Sequence, residues 1–118
     1  MKNGLTITSM DMADGAVTVL ALSGFLDGHT FPEFELRLQS CIQAGKTRLV
    51  IDLCGLTYIA SAGVGAFIST HHQLKKVKGT VQLANASANV REIFAILGLE
   101  AIFTIHPTVD GAVAAAKA

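Results

Sequence analysis

The sequence predicts an α/β fold built on a parallel or mixed sheet, and three observations carry that prediction. After two opening strand-like runs, strand-length apolar segments alternate with segments of helical spacing. One run, "TRLVIDL" at residues 47–53, is almost continuously apolar, as in a strand covered on both faces. The chain has 118 residues, 51% of them hydrophobic, which is enough for one buried core and leaves no length for a second domain.

The elements follow in order. "GLTITSM" (4–10) alternates weakly and reads as a first strand. Asp14-Gly15 favours a tight hairpin. "AVTVLALSG" (16–24) is a second strand, and "FLDGHT" (25–30) a short loop. Thr30 with Glu33 resembles a capping box, and Pro32 suits a first helical turn, where its missing N–H is harmless. Phe31, Phe34, Leu38, Cys41 and Ile42 recur at helical spacing, and Gly45 stops that helix. After the 47–53 strand, "LTYIASAGVGAF" (56–67) passes from strand or loop into a helix running to about Lys78. Its apolar stripe is Val64, Phe67, Ile68, His71 and Leu74, and Gly79 ends it. "TVQLAN" (80–85) is a strand, and Ser87 caps a helix bearing Val90, Ile93, Phe94 and Leu97, with Gly98 at its end. "AIFTI" (101–105) reads as a last strand, and Pro107 and Thr108 lead into a final helix. The predicted order is ββαβαβαβα, with right-handed crossovers.

Composition removes several function classes. Nine basic and nine acidic residues leave a formal net charge of zero, and no basic stripe marks a nucleic-acid surface. Zero net charge also removes one barrier to self-association, so a monomer or weak dimer is expected. The two cysteines, Cys41 and Cys54, are far apart and form no CxxC pair; buried, reduced thiols are expected of both. His71 and His72 are adjacent and face different sides of their helix, and no HExxH or second ligand cluster accompanies them, so no metal site is expected. His71 reads as a core-edge histidine and His72 as solvent-facing. The first ten residues carry no apolar core of signal-peptide length, and no apolar run spans a bilayer. The expected location is cytoplasmic, with no membrane insertion.

The lone hydroxyl of Ser61, followed by Gly63 and Gly65, carries the candidate chemistry. A hydrolase nucleophile elbow requires G-x-S-x-G, and Ile59 occupies the first glycine's place. The four histidines and Asp52 could be imagined as base and orienter, but nothing in their spacing makes a triad. "GVG" lacks both the dinucleotide and the P-loop patterns. Two readings survive and are compatible: a helix-capping serine, and a charge switch. Phosphorylation would add roughly −1.5 to −2 charge at a helix N-terminus, where backbone N–H groups and the helix dipole accept it. Ala60, Ala62, Gly63 and Val64 around it are small or apolar, which suits docking, and a dianion at the centre of such a patch opposes it.

Three segments, "LSGFLDGHTFPEFELRL", "RLVIDLCGLTYIASAGVGAF" and "GTVQLANASANVREIFAILGLEAIF", together resemble the bacterial anti-sigma-factor antagonists, a family of STAS domains. The resemblance covers almost all of residues 1–118 as a single STAS-like domain. It implies a mixed four- to five-stranded sheet with about four helices packed mainly on one side. It also implies partner switching without catalysis or cofactor. The unphosphorylated antagonist binds an anti-sigma factor, which is also a serine kinase with a histidine-kinase-like ATPase fold, and so releases that kinase's target. Phosphorylation of the antagonist blocks binding, and a PP2C-type phosphatase restores it. Aligning "ASAG" with the family pattern places the phosphorylated serine at Ser61, and Asp27 matches the acidic residue of the "G-x-L-D" loop. Leu26, Asp27, Gly28, His29, Thr30 and Tyr58, with Ala60, Ala62, Gly63 and Val64, are the implied partner contacts. Ala60 stands where many antagonists carry aspartate, and Cys54 where a small polar residue is common, as a packing substitution. The competing readings are a STAS domain acting as a constitutive scaffold or regulatory subunit of a transport or signalling complex, and a small hydrolase built on Ser61.

Overall fold

The computed structural model describes residues 4–117, with the side chains of Ser61, Ala62 and Ala66 outside the described residues. Five strands, β1 (Leu5–Met12), β2 (Val17–Leu26), β3 (Arg48–Ile59), β4 (Thr80–Ala84) and β5 (Ile105–His106), form one mixed sheet in sequential order. β1 is antiparallel to β2; the other neighbours are parallel. Four helices follow the predicted alternation: α1 (Phe31–Gln43), α2 (Ser61–Lys76), α3 (Ala88–Ile96) and α4 (Val109–Lys117).

The topology dictates the layering. Crossovers of one hand that all advance in one direction across a sheet must lie on one face. α1, α2 and α3 accordingly bury Phe34, Leu38, Val64, Phe67, Leu74, Val90 and Phe94 against Leu20, Leu22, Leu49, Ile51, Leu53 and Leu83. α4 crosses to no further strand and closes the opposite face, where Ala112, Val113 and Ala116 meet Val17, Val19, Val50 and Ala84. Leu49, Val50, Ile51 and Leu53 are all fully buried, as the continuous apolar run of β3 requires. At the three-helix core, Phe67 packs edge-on against Phe34, Phe94 and Phe103, with centroids 5.3, 5.8 and 6.2 Å away.

Several local expectations are corrected. β3 continues past residue 53 to Ile59, because register shifts between Ala21 and Ser23 and between Gly24 and Phe25 let β2 keep pairing with it. α2 ends at Lys76, before the expected Lys78, and Lys78 takes the left-handed conformation (φ 59°). The Lys78 N–H then bonds Lys75 O and the Gly79 N–H bonds Leu74 O, a Schellman closure. Of "AIFTI" only Ile105 is strand: Leu99–Ala101 is a 3-10 turn, Phe103 turns into the core, and β5 is Ile105–His106. Leu97 is exposed at the end of α3 rather than on its core face. Cys41 is buried, but Cys54 is exposed and so is no packing substitution. The Ser87 cap forms as predicted, its hydroxyl accepting from the Val90 N–H.

Candidate functional site

Parallel strands carry helix N-termini to their C-terminal ends, the usual place for a site in an α/β sheet. Here β2 runs into α1 through residues 27–30, and β3 runs into α2 through Ala60 alone. The Ala60 N–H donates to Leu26 O at 2.9 Å, which stitches the two junctions together.

The 27–30 loop is fixed by its own side chains. Asp27 Oδ1 accepts from the N–H groups of His29 (2.9 Å) and Thr30 (3.2 Å). Thr30 Oγ1 accepts from the Asp27 N–H (2.9 Å) and donates to Phe25 O (2.9 Å). Thr30 stands at the N-cap of α1, but its hydroxyl is spent on this loop and caps nothing, so the expected capping box does not form. The His29 amide, followed by Thr30, holds the Asp27 carboxyl below its usual pKa. A depressed carboxylate pKa contributes stability above the unfolded pKa, and that contribution is lost as pH falls through the folded value. Asp27→Asn should therefore melt below the wild type near neutrality. The two proteins should converge as the pH falls through the lowered pKa of the folded carboxyl. A constant difference at every pH contradicts this role.

At the second junction, Ala60 is the N-cap of α2 (φ −102°, ψ 172°) and Ser61 its first helical residue. Ser61 is therefore not the helix cap that its sequence position implied, and the Ser61 and Ala62 side chains lie outside the described residues. Ala60 supplies no side-chain acceptor; its carbonyl takes the N–H groups of Gly63 (2.9 Å) and Val64 (3.1 Å). Gly63 is required here, because a Cβ would stand 2.7 Å from Leu26 Cγ and 3.1 Å from Ile59 Cγ1, whereas nothing lies within 4 Å of a Cβ on Gly65. Gly63→Ala is expected to cost about 1–3 kcal/mol by overpacking. Gly65→Ala should be stabilising by up to about 1 kcal/mol, since alanine suits a helix interior better. Urea denaturation of the two variants checks the contrast.

The implied contact residues divide by exposure. Leu26, Thr30, Gly63 and Val64 are buried and frame the site from beneath, so their side chains offer no surface to a partner. Gly28, His29 and Tyr58 are exposed, and Asp27 and Ala60 partly so. Phe25, expected in a loop, lies in β2 and is 49% exposed beside Tyr58 at 48%, their rings edge-to-face at 6.4 Å. The signal for it was present: Leu20, Leu22 and Leu26 alternate inward, which sends Phe25 outward. Asp52 Oδ1 accepts from the Cys54 N–H and from Asn85 Nδ2. Among the described residues, no three His, Cys, Asp or Glu side chains gather as a metal site. No helix of the described residues is long and apolar enough to cross a membrane.

Known proteins share this fold. The STAS domain family model matches residues 9–112. BtrV of Bordetella bronchiseptica is 33% identical over 109 residues, which cover 92% of this chain and 93% of that protein. The anti-sigma-B factor antagonist of Bacillus subtilis is 30% identical over 92 residues, 78% of this chain and 84% of the relative. Among solved structures, the anti-sigma factor antagonist SpoIIAA in its unphosphorylated form superposes with a TM-score of 0.78 at 25% identity, over 92% of this chain and 93% of the other. SpoIIAA of Bacillus in the phosphorylated form gives 0.72 at 23% identity, over 93% and 98%. The chain belongs to the STAS domain family, alongside the bacterial anti-sigma factor antagonists.

Proposed function

We propose that this protein is a cytoplasmic anti-sigma factor antagonist working by partner switching, with Ser61 as its phosphorylation site. The observation that carries the proposal is the N-terminus of α2 at Ser61, held against the Asp27 loop through Ala60 and Leu26 and flanked by exposed Phe25 and Tyr58. A surface of this kind docks a partner by apolar contact, and aromatic pairs are favoured anchors at such interfaces. Phe25, Tyr58, Gly28, His29, Ala60 and Ala62 form the contact surface. Leu26, Thr30, Gly63 and Val64 hold it in shape, and Asp27 does so through its carboxylate.

The partner is an anti-sigma factor that is also a serine kinase with a histidine-kinase-like ATPase fold. In the switching step, Ser61 Oγ attacks the γ-phosphorus of ATP, the bond to the β-phosphate oxygen breaks, ADP leaves, and the serine proton goes to a base of the kinase. This chain supplies only the acceptor and is not an enzyme. The added roughly −1.5 to −2 charge sits at a helix N-terminus that tolerates it, yet it opposes the apolar contact. A PP2C-type phosphatase removes it. Incubation with the kinase and ATP should add one phosphoryl group, mapped to Ser61 by fragmentation mass spectrometry and absent from Ser61→Ala. A phosphoryl group on another residue contradicts the assignment.

A further inference from the structure

α4 has nine residues and covers only part of the sheet face on which it packs. Leu20 and Leu22 point into the three-helix core, so by strand alternation Val19 and Ala21 point the other way, toward α4. Residues opposite one another in a ladder share a face. Thr8, Ala21 and Asp52 therefore form one row across β1, β2 and β3 on the α4 side, and Met10, Val19 and Val50 form the next. A slot of about 220 Å³ opens over these rows, with Val19 and Ala21 beneath and Met10, Met12, Val109 and Asp52 around it. Ala21 accounts for the space, because a lone methyl group leaves the row low between Thr8 and Asp52. We propose that this slot binds a small primary alkylamine as its ammonium ion, with the charge at Asp52 Oδ2 and the alkyl chain over Val19 and Ala21. The site involves neither Ser61 nor the surface around it.

Hydrogen bonding and charge both favour an ammonium group. Asp52 Oδ1 accepts from the Cys54 N–H at 3.0 Å and from Asn85 Nδ2 at 3.3 Å, which fills its two lone-pair sites. Among the described residues Oδ2 has no hydrogen-bond partner, and no Lys, Arg or His lines the slot. One free oxygen suits a compact ammonium, whereas a guanidinium fork takes both carboxylate oxygens. An anion is disfavoured twice over. Asp52 repels it, and at the neighbouring start of α4 the Gly111 N–H is already met by Thr108 Oγ1 at 3.1 Å, with Asp110 in the same turn. Apart from Asp52 the groups around the slot are apolar, and two are methionines, whose flexible thioethers repack around an alkyl chain. The volume is below the roughly 300–1,000 Å³ that drug-sized ligands occupy, which limits the chain to a few carbons.

n-Butylammonium chloride, titrated into the isotope-labelled full chain at about pH 7 and constant ionic strength, is the probe, since alkylamines carry their proton there. Saturable NMR shifts are expected at Ala21, Asp52, Val109 and the methyl groups of Met10 and Met12. Asp52→Asn keeps the Oδ1 acceptor and with it the local fold, and should weaken binding at least about tenfold by loss of a charge-assisted hydrogen bond. n-Butanol, neutral and of similar shape, should bind the wild type more weakly than the amine by a similar factor. Ala21→Ile, whose branched side chain suits a strand, should abolish saturation by filling the slot. The proposal is overturned if no saturable shift appears, if ammonium chloride reproduces the shifts, if n-butanol binds as tightly as the amine, or if saturation is unchanged in either variant.

Discussion

Ser61→Asp is expected to weaken binding of the anti-sigma factor by on the order of 10²–10³-fold while leaving the domain as stable as before. Both halves follow from the position of residue 61 as the first residue of α2. An acidic side chain in a first helical turn is favoured by the helix dipole by about 0.3–1 kcal/mol, and α2 has no acidic residue in that turn. Lost binding therefore cannot be ascribed to unfolding. A charge pressed into an apolar contact without a partner costs about 3–5 kcal/mol, and each ~1.4 kcal/mol is tenfold in affinity. Ser61→Ala should bind as the unmodified protein does and resist phosphorylation. Isothermal titration calorimetry against the purified kinase, with thermal melts of each variant, measures both quantities. An aspartate variant that binds normally contradicts the site.

Phe67→Ala carries the largest expected effect on stability, about 3–5 kcal/mol. Phe67 is fully buried, and its ring touches Phe34 of α1, Phe94 of α3 and Phe103 beyond the 3-10 turn. Truncation removes the apolar burial and leaves a cavity where three elements meet. Against a typical total of about 5–15 kcal/mol, that brings the domain near unfolding. Leu36→Ala is the control: Leu36 lies on the same helical layer but is 70% exposed, and its loss should stay within about 0.5 kcal/mol. Urea midpoints at constant m-value separate the two. Equal losses would mean that the ring cluster is not the core's centre.

The element order was legible because each long helix has a full apolar stripe and β3 a continuous apolar run. What escaped was set by contacts between distant residues. β3 beyond residue 53 looks irregular by itself; it is a strand because bulges let β2 follow it. "AIFTI" has strand-like composition, yet Phe103 is drawn into a ring cluster built by α2 and α3. Thr30 has the spacing of a capping residue, but Asp27 and Phe25 engage its hydroxyl first. Ser61 looked like a cap because serine commonly is one; the extended backbone of Ala60 takes that position instead. At the site, residue identity did not report depth. Leu26, Thr30, Gly63 and Val64 lie beneath the surface, and Phe25 rises above it beside Tyr58.

The most direct test compares one protein in two chemical states against one partner. The chain is phosphorylated by its kinase, resolved from the unmodified form, and each form is titrated with the same anti-sigma factor. The unmodified form should bind and the Ser61-phosphorylated form should fail to bind at the same concentrations, with binding restored by phosphatase. Equal affinities for the two forms would contradict the switch at Ser61.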